Sequence, residues 1–267
     1  MADNLRLYLH YVGISIRGQM QYRASFLMLT LAQLLITAME FVAVWALFAR
    51  FGNLRGWSLP EVALFYGIVN VAFALAEGIG RGFDTFAAMV KSGDFDRLLL
   101  RPRSTALQVA AQEWQLMRVG RLLQASAVLL WSMSSLPVEW SAPKLALLAG
   151  AILGGACLFY GLLVLQATLS FWTVESLEIW NAVTYGGVET AQYPLTIYRG
   201  WFRRFFTVVV PLACVNYFPA HALLGRVEPL GSSVVWQCAA PGVGVLFLIV
   251  ALQVWKLGVR HYRSTGS

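Results

Sequence analysis

The chain has 267 residues, of which 58% are hydrophobic and only 12% charged. Soluble domains carry about twice that charged fraction, so the polar surface cannot coat a water-soluble body of this size and the apolar surplus calls for a bilayer. The formal net charge is +7, but the cations lie between apolar segments and not along one polar face, which argues against a nucleic-acid surface.

The N-terminus, Met1-Ala2-Asp3-Asn4-Leu5, lacks the basic start of a cleavable signal. Within residues 1–22, Leu5, Tyr8, Leu9, Val12 and Ile16 recur at helical spacing, with Arg6, His10 and Arg17 largely elsewhere. This predicts an amphipathic helix lying on the membrane surface. A spanning helix needs roughly 20 mostly apolar residues. The first such run is Arg23–Phe48, interrupted only by Gln33 and Glu40, and the second is Glu61–Gly80, carrying Asn70 and Glu77. The most charged stretch of the chain, Arg81 to Arg103, follows. Ala106–Leu136 reads as one long helix. Its first half, with Glu113, Arg118 and Arg121, is expected at the interface with Arg121 reaching toward the headgroups; Leu122–Leu136 makes the third span. Lys144–Trp172 is the fourth span. Val174–Tyr198, with Glu175, Glu178 and Glu189, reads as an interfacial helix and turn broken at Gly186-Gly187. Phe205–Leu223 is the fifth span, kinked by Pro211 and Pro219, and Val234–Trp255 is the sixth.

Orientation follows from the cations. On this map sixteen of the 20 Lys and Arg residues fall on the side of the termini and of the Arg81–Arg103 loop; Arg50, Arg55, Lys144 and Arg226 fall on the other. Both termini are therefore expected in the cytoplasm, and residues 1–267 form a single membrane domain.

Two segments are candidates for function. After the second span, residues 91–103 contain Ser92-Gly93-Asp94-Phe95-Asp96-Arg97-Leu98-Leu99-Leu100-Arg101-Pro102. Acidic residues open a short helix, basic residues close it and Pro102 ends it, matching the helix dipole at both ends. Phe95, Leu98 and Leu99 are then available for contact, either with a partner or, in the alternative reading, with lipid. On the second span, Tyr66, Asn70, Phe73 and Glu77 fall on one helix face. Polar groups in hydrocarbon are costly and often functional, so this face is either a wall of a translocation path or a polar contact between helices. Left toward lipid, it predicts a dimer meeting through the second and fifth spans. Glycines such as Gly13 and Gly18 are read as helix-packing sites.

The loop "GDFDRLLLRPRS" resembles the coupling segment of type-two ABC-exporter permeases. A second match is Tyr193-Pro194, Ile197-Tyr198, Gly200-Trp201, Pro211 and Asn216-Tyr217 with Pro219-Ala220, similar to a signature of a subgroup of closely this length whose substrates are unknown. The resemblance implies an all-α membrane fold of the ABCG-like, type V exporter kind, with six spans, an interfacial N-terminal helix and a short cytoplasmic coupling helix. It implies a bacterial inner-membrane permease that pairs with a second, identical or homologous, permease and with two ABC ATPase subunits. Asp94, Phe95, Asp96, Arg97, Leu98, Leu99 and Arg101 would then couple to the ATPase, and Asn216 would join Tyr66, Asn70, Phe73 and Glu77 along the substrate path.

No G-x-x-x-x-G-K-[ST] loop is present, so ATP and Mg are expected on the partner ATPase and no cofactor on this chain. His10, His221 and His261 are far apart, Cys157, Cys214 and Cys238 form no metal or disulfide pattern, and no Ser-His-Asp order occurs, so neither a metal site nor a catalytic residue is expected. A secondary transporter or channel, or an intramembrane lipid-modifying enzyme, remains as an alternative. The former would be favoured by inverted repeats and the latter by clustered His or Asp at the membrane face.

Overall fold

A computed structural model describes residues 2–115, 118–173, 177–227, 229 and 231–262, without the side chains of 2–7, 9 and 177–179. Glu175, Arg263 and the side chains of Leu5, Arg6, Leu9 and Glu178 lie outside what is described. Among the described residues the fold is all helical, the only β-type pairing being an isolated bridge between Leu54 and Trp57. The first six helices are α1 (Ala2–Met20), α2 (Arg23–Phe51), α3 (Leu59–Asp84), α4 (Phe86–Lys91), α5 (Asp94–Leu99) and α6 (Thr105–Gln112). Then come α7 (Arg118–Ser135), α8 (Ala142–Leu169), α9 (Leu177–Ala191), α10 (Gly200–Val209), α11 (Ala213–Leu224), α12 (Val234–Ala239) and α13 (Gly242–His261).

α3 is the axis of the bundle. It starts at Ser58, whose backbone N–H donates to the Glu61 carboxylate at 2.8 Å, with Pro60 in the first turn, where its missing N–H costs no bond. Its residues are apolar nearly all round, the pattern of a helix enclosed by others, and α6, α7, α8 and α9 pack against it. Small residues permit this closeness. A Cβ on Gly67 would lie 2.7 Å from Leu129 Cβ on α7, and one on Gly82 would lie 1.8 Å from the Val109 carbonyl oxygen on α6. On the opposite side of α8, Gly154 and Gly244 bring α8 and α13 together, a Cβ on Gly244 falling 1.9 Å from the Gly154 carbonyl oxygen. Gly13 and Gly18 have nothing within 4 Å, so their expected packing role is not realised. α3 is enclosed along most of its length, so the polar face that was expected to seek a second copy is already covered within this chain. Its polar face turns to its own chain and not to lipid.

Among the described residues, four helices are long and apolar enough to cross a membrane: those beginning at Arg23, Leu59, Ala142 and Gly242. The α10–α11 pair, bent by 85°, makes a fifth if counted as one span. α7, expected as the third span, falls short of that apolarity because Arg118, Arg121 and Gln124 occupy its first two turns.

Four boundaries differ from expectation. The helix expected over Ala106–Leu136 is interrupted, with Glu113 in extended backbone at φ −137° and ψ 126°. Its carboxylate accepts from the Thr85 hydroxyl at 3.2 Å and sits 3.9 Å from Arg81, tertiary partners that override a helical pattern. α9 runs unbroken through Gly186-Gly187, and Gly187 instead lets Leu212 and Phe206 approach. α9 packs one face on the bundle, with Thr184, Val188 and Ala191 buried and the Trp180 indole donating to the Leu162 carbonyl at 3.0 Å, and leaves Asn181, Ala182 and Glu189 exposed. The kink expected in the fifth span is a full break around Val210–Leu212, where Pro211 cannot donate to a helical ladder. Pro241 marks a milder interruption between α12 and α13, inside the sixth span expected over Val234–Trp255.

Candidate functional site

α5 is built as a short, anchored hook. Gly93 precedes it with φ +74°, a left-handed conformation that favours glycine. The Ser92 hydroxyl donates to Asp94 Oδ2 at 2.7 Å, Arg97 pairs with Asp94 at 3.3 Å, and Asp94 and Asp96 occupy the first turn where the helix dipole favours anions. Phe95 is fully buried, with ring centroids 5.0 Å from Phe86, 5.5 Å from Phe171 and 5.0 Å from Tyr262. Leu98 is buried beside it, and its carbonyl accepts from Gln108 on α6 at 3.3 Å.

Two of the three apolar residues expected to be available for contact are therefore spent inward. The reason is the aromatic cluster that closes the end of the α8–α13 pair, where Trp255 lies 4.9 Å from Phe86. The outward rim consists of Asp94, Arg97, Leu99, Leu100 and Arg101, with Leu100 86% exposed. Asp96 is half-buried at the Tyr262 side, and burial, then the neighbouring Asp96 carboxylate, pushes the Tyr262 phenol upward. Arg101 reaches Tyr11 on α1 at 3.2 Å. α1 is held to the segment after α6, the Ser15 hydroxyl donating to the Trp114 carbonyl at 3.0 Å and Gln19 donating to the same oxygen.

The second candidate face is brought together as its spacing predicted, but inside the bundle. The Tyr66 hydroxyl donates to the Thr37 carbonyl on α2 at 3.1 Å and to Gln124 on α7 at 3.3 Å. Asn70 donates to the Tyr66 carbonyl one turn back at 3.0 Å. Phe73 lies edge-on to Phe159 and Tyr185. Glu77 is fully buried, 2.8 Å from Arg118 and 3.9 Å from Arg121. Apart from the Asn70 bond, which stays within α3, these are helix–helix contacts. Asn216, on α11, joins none of them; it donates to the Ala191 carbonyl at the end of α9 at 2.6 Å.

Arg121 does not reach toward headgroups. Its guanidinium turns inward to Glu77 and over the Phe73 ring, 5.2 Å from its centroid. A buried carboxylate needs a cation, and Arg118 and Arg121, three residues apart on one face of α7, supply it. One turn further along α3, Arg81 pairs with Asp84, which also accepts from Gln166 at 3.3 Å and from Tyr185 at 3.4 Å. Gln166 continues to Asn181 on α9 at 3.2 Å. Asp84 and Gln166 were missed in the sequence. The available signal was a lone Glu77 in one span and an Arg pair at i, i+3 entering another.

Among the described residues no three His, Cys, Asp or Glu side chains are grouped to hold a metal ion. At the other end of the bundle, Arg226 pairs with Glu61 at 2.7 Å and stacks on Trp57 at 4.3 Å, tying the chain after α11 to the α2–α3 turn.

Comparison with curated proteins and with solved structures finds no significant match. A family model described as ABC-2 family transporter protein matches residues 34–266. That span takes in α3 through α13, the hook at α5 and the broken fifth span with its Tyr193–Ala220 signature. On this match the chain belongs to the ABC-2 transporter family, as a multi-pass membrane permease of an ABC transporter.

Proposed function

We propose that this chain is the membrane half of an ATP-driven exporter. It works with a second permease, identical or homologous, and with two ATPase subunits that bind ATP and Mg. The spans would be α2, α3, α7, α8, the α10–α11 pair and α13, in a bacterial inner membrane with both termini cytoplasmic. The observation that carries the reading is the build of α5. An exposed rim of Leu99, Leu100, Arg97 and Arg101 is mounted on two buried anchors, Phe95 and Leu98. A rim on a rigid mount can pass a push into α8 and α13, whereas a loose loop would absorb it. Charge and exposed leucines together suit a groove on a partner protein.

With α3 enclosed, the second permease is expected against the fifth span, where Trp201, Val208 and Val209 are exposed. Tyr66, Asn70, Phe73, Glu77 and Asn216 would meet a substrate only once α3 parts from α7 and α9, which makes their contacts a closed seam of the path.

The test is recovery of the ATPase subunit by the tagged permease at equal membrane levels. Leu99→Asp and Leu100→Asp should each lower recovery about tenfold or more, as desolvated contacts do at protein interfaces. Leu98→Asp should instead destabilise the permease itself, because it places a carboxylate in an apolar core. Equal recovery and equal transport by wild type and Leu100→Asp would overturn the coupling role.

A further inference from the structure

A groove of about 730 Å³ opens on the flank of the bundle between the start of α6 and the outer face of α13. Its two ends differ in chemistry. At one end stand Arg103, Ser104 and Lys256; toward the other lie Leu107, Leu252 and Ile249. Along α13, Ile249, Leu252 and Lys256 form one stripe that passes from apolar to cationic over seven residues, about 10 Å of helix. Trp255 and Tyr160 also line the groove, and the Trp255 indole donates to the Thr105 hydroxyl at 3.1 Å, fastening α6 to α13 there. Ser104 stands before α6 and makes no capping bond with its side chain, and it lines the groove beside Arg103. None of the described residues lining the groove is acidic.

We propose that this groove binds one anionic phospholipid of the leaflet that adjoins α5. Its phosphate would lie between Arg103, Lys256 and the start of α6, with an acyl chain along Leu252 and Ile249. The charge pattern selects this occupant. A neutral apolar partner would offer no charge complement to the cationic end of the groove. A soluble anion would leave the Ile249–Leu107 wall uncovered. The direction also agrees with a bilayer, because the cationic end lies toward Arg260 and His261 in the last turn of α13 and the apolar end toward the middle of that helix. A lipid seated there would bridge α6, whose Gln108 holds the base of α5, to α13, whose Trp255 holds its aromatic anchor. The site is independent of the ATPase assignment.

The experiment is native mass spectrometry of the full-length permease in detergent, titrated with phosphatidylglycerol or with phosphatidylcholine. One phosphatidylglycerol should be retained in preference to phosphatidylcholine. Lys256→Gln and Arg103→Gln should each weaken its retention roughly fivefold, the effect of one cation on an anionic lipid, while Lys144→Gln at the far end of the bundle should not. Leu252→Gln should weaken retention of the lipid without changing the charge. Equal retention of the two lipids, or retention unchanged by Lys256→Gln together with Arg103→Gln, would overturn the proposal. Displacement of the lipid by inorganic phosphate at comparable concentration would also overturn it, leaving an anion site only. So would a lipid-independent fall in dimer fraction in these variants, which would give the groove to a second copy.

Discussion

Replacing Glu77 by Gln removes the carboxylate that pairs with Arg118 and Arg121 while keeping shape and size. Glu77 is fully buried, and the two guanidinium side chains are only 14% and 12% exposed, so water compensates little. The surrounding group holds three anions, Glu77, Asp84 and Glu113, against three cations, Arg81, Arg118 and Arg121. The substitution leaves one cation in excess. Breaking a buried pair by removing one partner costs about 3–5 kcal/mol. At about 2–4 °C per kcal/mol for a chain of this size, that is a melting point lower by about 6–20 °C. Adding Arg118→Gln restores neutrality, and the double variant should regain more than half of the loss, because the coupling belongs to the pair and not to either residue. The assay is thermal unfolding of the purified permease, followed by the monodisperse fraction on size exclusion. A loss below about 1 kcal/mol for Glu77→Gln, or strictly additive losses in the double variant, would refute the reading of Glu77 as the buried counter-ion of α7.

Gly82→Ala should be strongly destabilising, beyond the usual 1–3 kcal/mol or so of overpacking, because its Cβ would meet the Val109 carbonyl, which cannot yield without moving α6. Gly78→Ala on the same helix meets nothing within 4 Å and should be neutral or slightly stabilising, so equal melting points for the two variants would contradict the α3–α6 contact. A cysteine placed at Gly93 should react with an impermeant thiol reagent only from the cytoplasmic side and one at Asn53 only from outside; the reverse pattern would invert the topology read from the basic bias. The Tyr262 phenol is raised by burial and by Asp96, so its contribution to the α5–α13 clasp is present below the ordinary tyrosine value and lost as pH climbs through the raised one. Phenolate absorbance that disappears in Tyr262→Phe should titrate above about pH 10, and Asp96→Asn should bring it down; a value at or below the ordinary one would refute the contact.

Composition and cation placement, with no tertiary information, were enough to read a helical multi-pass membrane protein, and the resemblance of two short motifs, Gly93–Ser104 and Tyr193–Ala220, pointed to its family. Apolar run length and the mean charge of a segment are local properties that a bilayer reads directly. Gly93, Asp94 and Pro102 likewise set the limits of α5 locally, through a left-handed residue, a dipole-matched first turn and a stop. Tertiary structure decided which way side chains face. Phe95 and Leu98 look like a contact surface in sequence; Phe95 becomes an anchor because neighbouring Phe86 and, from distant segments, Phe171, Trp255 and Tyr262 converge on it. The long pattern after Ala106 contains no proline or glycine at Glu113; it breaks there because Arg81 and Thr85, some thirty residues earlier, hold that carboxylate. Periodicity put Tyr66, Asn70, Phe73 and Glu77 on one face, but it could not say what that face meets. The answer depended on Arg118 and Arg121, whose charge is favourable in an apolar bundle only beside a carboxylate brought there by folding.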